Sequence, residues 1–89
     1  MKCVLTVLGK DRSGIVAGVA VALAECGVNI DDISQTILDG IFSMTMMVSV
    51  DEAVASFNSV QEKLEGVASD LGVQAIIQRQ EVFDAMYAI

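Results

Sequence analysis

The residues best equipped for chemistry form one run, Gly9-Lys10-Asp11-Arg12-Ser13-Gly14-Ile15-Val16. Two glycines bracket a cation, an anion, a second cation and a hydroxyl. Glycine permits backbone shapes that other residues resist. A helix opening behind such a turn offers free N–H groups, a natural seat for a carboxylate or phosphate. Asp11 or Ser13 can cap that helix. Many strand-to-helix turns share this composition, so on spacing alone plain turn and capping chemistry is favoured over a ligand site. A second polar group, Asn29, Asp31 and Asp32, opens the extended segment that follows. It reads either as a turn and a solvated edge or as a cluster suited to an amine.

Other chemistries are poorly provided for. The chain has no histidine, and its two cysteines, Cys3 and Cys26, are far apart. A zinc or copper site, and any cofactor held by such ligands, is therefore not expected. Histidine acid–base catalysis is impossible, and no nucleophile–base pair stands out, so the expectation is a protein that is not an enzyme. Both cysteines read as small buried hydrophobes and not as a disulfide. The formal net charge is -7, and the five basic residues, Lys2, Lys10, Arg12, Lys63 and Arg79, are scattered. Nucleic acid and anionic membranes both need clustered basic charge, so neither is an expected partner. No apolar run approaches the roughly 20 residues of a membrane span. The N-terminal apolar stretch stops at Gly9-Lys10-Asp11, unlike a signal peptide, which gives a cytoplasmic expectation.

The elements that would position these residues follow from periodicity. Lys2 to Leu8 is a strand apolar on both sides, hence central in a sheet. Gly9 to Ser13 is a turn. A helix runs from Ser13 or Gly14 to Cys26, with Ile15, Val16, Val19, Ala20 and Leu23 as its core stripe and Gly27 closing it. Its back, Ala17, Gly18, Val21, Ala22 and Ala24, carries no charge, which predicts that something packs on it. Val28 to Leu38 is the second strand, and its alternation slips at Asp31-Asp32, the mark of a bulge. Asp39-Gly40 signals a two-residue hairpin. Ile41 to Asp51 is the third strand, with Phe42, Met44, Met46, Val48 and Val50 facing the core. A second helix spans Ser56 to Leu71, capped by Ser56 and ended by Gly72. Val73 to Gln80 is the fourth strand. Val82, Phe83, Met86 and Ile89 recur at helical spacing in the tail, residues 81–89, as a short docking helix.

The order βαββαβ, with right-handed crossovers and the hairpin, predicts an α+β, ferredoxin-like sandwich. Its four-stranded antiparallel sheet carries both helices on one face. The first and third strands are central; the second and fourth are edges. At 89 residues there is room for one domain and one thin core, yet 54% of the chain is hydrophobic. Some of that surface must lie against a second copy or another partner. The second strand is the edge available for pairing. Two such edges would join into an eight-stranded sheet and bring Asn29 and Asp31 of one chain near the Asp11 loop of the other.

The Gly-Lys-Asp-Arg-Ser-Gly-Ile-Val run followed by Cys26-Gly27-Val28-Asn29-Ile30 resembles the ACT domain pattern of a Gly-x-Asp-x-x-Gly loop, an apolar helix and Gly-(Val/Ile)-Asn-Ile. Asn29 to Leu38 and the ending Phe83-Asp-Ala-Met-Tyr87 look like small stand-alone ACT proteins related to glycine-cleavage regulators. Ser13 departs from the proline of many members but keeps a capping hydroxyl. The resemblance implies a single domain over 1–89 that senses a small molecule, an amino acid, at a homodimer interface. It places the ligand among Asp11, Arg12, Gly14, Ile15, Asn29 and Ile30, with Lys10, Ser13 and Asp31 beside them as further candidates. The ligand carboxylate would sit on the N–H groups of Gly14 and Ile15, and Asn29 and Asp11 would take its ammonium group. Lys10 and Arg12 stay solvated in this scheme, though either can swing over an anion.

Two other functions compete. An interaction subunit regulating a partner enzyme, with no working pocket, explains the apolar helix back equally well. An acylphosphatase-like hydrolase would cast Arg12 and Asn29 in its Arg and Asn roles, but the loop lacks that family's sequence. The sequence leaves dimer and tetramer both open, since the semi-polar sheet face with Ile41 and Met47 offers a second pairing surface.

Overall fold

Alternation along β1 (Lys2–Lys10) sets the arrangement of everything else. The computed structural model describes residues 1–88. Cys3, Leu5 and Val7 of β1 point to one side and are fully buried. β1 runs antiparallel to β3 (Ile41–Ser49) on one side and to β4 (Val73–Arg79) on the other. β2 (Asn29–Leu38) pairs antiparallel with β3 and forms the opposite edge, for an order β2-β3-β1-β4. The expected central and edge strands are therefore the observed ones. α1 (Ile15–Glu25) and α2 (Phe57–Leu71) cover one face of this sheet.

The core is a single layer between sheet and helices. Phe42, Met44, Met46 and Val48 of β3, and Val50 just beyond it, are each at most 3% exposed and meet Val60 and Leu64 of α2. The predicted inward face of this strand is thus the core face. Strand β3 stops at Ser49 and not at Asp51, but pairing goes on past it. The Val50 N–H donates to the Met1 carbonyl at 2.8 Å, and the Met1 amine donates to the Val50 carbonyl at 2.9 Å. The hairpin forms as expected: Asp39 and Gly40 sit at φ 51 and 78, a turn whose twist matches its strands. Ser56 caps α2 by accepting the Ser59 N–H at 3.2 Å.

α1 departs from its expected facing. Ala22, assigned to the outer back, is 1% exposed, whereas Val16 and Ala20 are only half-buried. The buried set Ile15, Val19, Ala22 and Leu23 is the proper 3.6-period stripe. The back is partly covered by the chain's own second helix. A Cβ built on Gly18 would stand 3.0 Å from Leu71 Cδ1. Gly18 thus lets α1 and α2 approach closely, and only Ala17, Val21 and Ala24 remain fully outward. The helix ends on a paired amide motif, with Gly27 N–H donating to Ala24 and Val28 N–H to Leu23. Gly27 is left-handed at φ 68.

The tail forms α3 (Gln80–Met86), which lies against β1 and β4. The Gln78 side-chain amide donates to Met86 Sδ at 3.2 Å, and Gln78 pairs with Val4. Val4 alternates with Leu5, so α3 lies under the sheet face opposite α1 and α2. The docking is shallow. None of its residues is buried, and Met86 is 59% exposed. Ile89, counted in the expected tail stripe, lies outside the described residues.

Leu64→Ala should lower stability by about 3 kcal/mol in denaturant titration, while Leu38→Ala at the exposed hairpin should stay within about 0.5 kcal/mol of wild type. Gly27→Ala should cost about 1–2 kcal/mol, because it strains a left-handed residue and drives a methyl to 2.9 Å from Val54 Cγ1.

Candidate functional site

The loop after β1 is held from two sides. Gly9 and Lys10 extend the strand beyond its expected end, so the irregular segment is only Asp11 to Gly14. The Asp11 N–H donates to the Gly40 carbonyl at 2.8 Å, tying the loop to the hairpin. Arg12 is not simply solvated: its guanidinium donates to the Leu71 carbonyl at 3.4 Å, at the C-terminus of α2. A cation there complements the partial negative charge of the helix end.

The capping expectation for this loop fails. Neither Asp11 nor Ser13 caps α1; Gly14 is the N-cap, left-handed at φ 90, and no side chain bonds the first turn. The left-handed turn at Gly14 starts the helix one residue beyond Ser13, so a Ser13 hydroxyl at this position does not keep the cap. The first intrahelical bond runs from Gly18 N–H to the Gly14 carbonyl. The N–H groups of Ile15, Val16 and Ala17 therefore have no partner within the helix ladder. Ile15 contributes backbone alone, because its side chain is 1% exposed and belongs to the core.

The second polar group is organised by the bulge. Pairing shifts between Ile30 and Asp32, which leaves Asp31 as the extra residue. Its carboxylate accepts from the Ser49 hydroxyl at 2.6 Å, from Lys2 Nζ at 3.0 Å and from Asn29 Nδ2 at 2.7 Å. Lys2 also donates to Ser49 Oγ at 2.8 Å. These bonds, the Ser49 hydroxyl first and Lys2 next, hold the Asp31 carboxyl down to about 2 from 3.8. Asp32 turns instead to its own strand and accepts the Ile33 N–H at 2.9 Å. Ile30 is half-buried against the core. Lys2 and Ser49 were missed by sequence reasoning. Ser49 lies on the semi-polar side of the third strand, but only the pairing register puts it opposite both Lys2 and Asn29.

Within one chain the two candidate groups are not brought together. Lys2, Ser49 and Asn29 form one cross-strand row; Lys10, Ile41 and Leu38 form another at the far end of the same strands. The rows are roughly 27 Å apart at the usual rise per residue. Arg12 and Asn29 therefore do not converge on one centre in a single chain, as an acylphosphatase-like pair must. A shallow groove of about 430 Å³ lies elsewhere, between α1 and α2, floored by Ala17, Gly18, Val21 and Val67. The Cys3 thiol, buried in the core, is pushed up by that burial and is no nucleophile. Cys26 is half-buried, and both thiols are free.

A sheet of order β2-β3-β1-β4 with two helices on one face and a glycine turn opening α1 defines a ferredoxin-like α+β domain. An ACT domain family model matches residues 2–78, and the chain belongs to the ACT domain family. It is 49% identical to a UPF0237 protein of Listeria monocytogenes over 89 residues, all of both chains. It is 44% identical to a UPF0237 protein of Methanocaldococcus jannaschii, covering 99% of this chain and 98% of that one. Among solved structures, an ACT domain protein from Streptococcus pneumoniae superimposes with a TM-score of 0.81 at 49% identity, covering 98% of each chain. The ligand-free regulatory subunit of aspartate kinase from Thermus thermophilus aligns with a TM-score of 0.68 at 32% identity, covering 86% of this chain and 50% of that one. No described helix is long and apolar enough to cross a membrane.

The Asp31 carboxyl titrates below its unfolded value, so its stabilisation is whole above 3.8 and is lost as pH falls through about 2. Its partners are solvent-accessible, which keeps the effect small. Asp31→Asn should therefore flatten the decline of Tm with acidity across that window, followed by circular dichroism. Parallel curves for the two proteins would show that Asp31 contributes nothing.

Proposed function

We propose that the chain is a regulatory module that binds an amino acid at the seam of a homodimer. One observation carries this reading. β1 and β2 run parallel, so the Asp11 loop and Asn29 lie at opposite ends of the sheet. A second copy joined antiparallel along β2 reverses that order. Asn29 of one protomer then stands at the end of the sheet where its partner's loop lies.

The edge is suited to such pairing. Every residue of β2 except half-buried Ile30 is exposed, including Ile33 and Ile37 on the helix side of the sheet, which neither helix covers. In the bound state the first-turn N–H groups of α1 receive the carboxylate, and Asn29, with Asp11 from the other protomer, receives the ammonium. Lys10, Arg12 and Ser13 ring the entrance. A ligand that spans both protomers stabilises the dimer through mass action, and that shift is the signal. Similarity to a regulatory subunit of aspartate kinase supports a regulatory role beside a partner enzyme. The groove between α1 and α2 favours a second reading, a subunit that docks an enzyme and needs no ligand.

Light scattering at micromolar concentration should report a dimer. Ile37→Lys, a change at an exposed edge position, should weaken association by about tenfold or more with the monomer's circular dichroism spectrum unchanged. A panel of amino acids should raise the Tm of the wild type in a concentration-dependent way, and Asn29→Ala should abolish that rise while retaining the fold. A flat panel on wild type sinks the ligand reading and leaves the docking subunit.

A further inference from the structure

We propose that Asp31, bracketed by Ser49 and Lys2, is a positioning residue that locks the Asn29 carboxamide with its oxygen outward, so that the site selects the amine end of its ligand. The inference rests on the ligand reading above and adds which end of the ligand meets Asn29 and what enforces it.

The argument is one of donors and acceptors. A carboxylate only accepts hydrogen bonds, and Asp31 stays ionised down to about pH 2. The Asn29 atom 2.7 Å from Asp31 Oδ1 must therefore be the amide nitrogen. A flipped carboxamide would set oxygen against oxygen. Asp31 cannot turn to accommodate a flip, because its other oxygen is fixed by Ser49 at 2.6 Å and Lys2 at 3.0 Å. The bulge makes this possible: Asp31 has no cross-strand partner of its own and folds over the row that holds Asn29, Ser49 and Lys2. The carboxamide oxygen of Asn29 accepts no bond from the described residues. Asn29 thus presents an acceptor, with one of its two amide N–H groups spent on Asp31. Its unpartnered oxygen favours a cationic N–H donor over a bare methylene. Asp31 has both oxygens engaged and acts through Asn29.

Two measurements test this separately. In the ¹⁵N-labelled wild-type protein, the Asn29 side-chain amide should show one proton shifted downfield and protected from exchange. Asp31→Asn should abolish that signature, and Ser49→Ala, a milder change, should weaken it. A free Asn29 amide insensitive to Asp31→Asn overturns the lock, whatever binds. In the second measurement, the amino acid that raises the wild-type Tm most is compared with the analogue whose amino group is replaced by hydrogen. Wild type should prefer the amine by about tenfold or more in Kd, and Asp31→Asn should narrow the preference to about threefold. Full discrimination retained in Asp31→Asn overturns the positioning role. If no amino acid binds wild type, the ligand reading fails and amine selection with it, while the amide spectrum still reports on the lock.

Discussion

The inward faces of two central strands hold this molecule together. Cys3, Leu5 and Val7 on β1 lie beside Phe42, Met44, Met46 and Val48 on β3, and all are sealed by α1 and α2. Among the described residues no charged or polar side chain is buried with them. The core is aliphatic and methionine-rich, shaped by packing alone. Strand order, helix placement and the parallel relation of β1 to β2 all follow from keeping that one layer dry. The polar residues are consequently pushed to the strand ends and the sheet rim. That is where the loop and the Asp31 cluster lie.

β2 is held differently. It shares backbone bonds with β3 but buries almost nothing. Its register is fixed by the hairpin at one end and by the bulge at the other. The Asp31 bonds pin the bulged end to β1 and β3 by way of Lys2 and Ser49. An edge anchored at both ends and bare along its length leaves its backbone groups open to another strand. A free edge of this kind otherwise invites unspecific pairing.

Much of the architecture was legible from periodicity. The alternation in Phe42 to Val50, the slip at Asp31-Asp32 and the Asp39-Gly40 turn each carry a local physical signature. Those local signals were enough to order the strands. The facing of Ala22 was not legible, because α1 is apolar nearly all round and its stripe has no polar contrast to fix its phase. The capping scheme failed for a related reason. Ser13 has the right chemistry for a cap, but the left-handed backbone at Gly14 is a tertiary outcome. The Lys2–Ser49–Asp31–Asn29 network joins residues from three strands. It depends on register, and no short-range spacing encodes it. That the candidate loop and Asn29 lie at opposite ends of the sheet also emerges only from topology.

The guanidinium of Arg12 on the Leu71 carbonyl works as a mooring line between the first turn and the far helix. At 3.4 Å it is long enough to be given up readily. An anion seated at the start of α1, as proposed above, would compete for that same guanidinium. The last turn of α2 is also closed by the Gly72 amide, which donates to the Ala68 and Ser69 carbonyls. Those carbonyls adjoin β4, the strand that leads directly into α3. The first-turn loop and the end of the second helix, which leads into β4, are thereby joined through a single charged side chain.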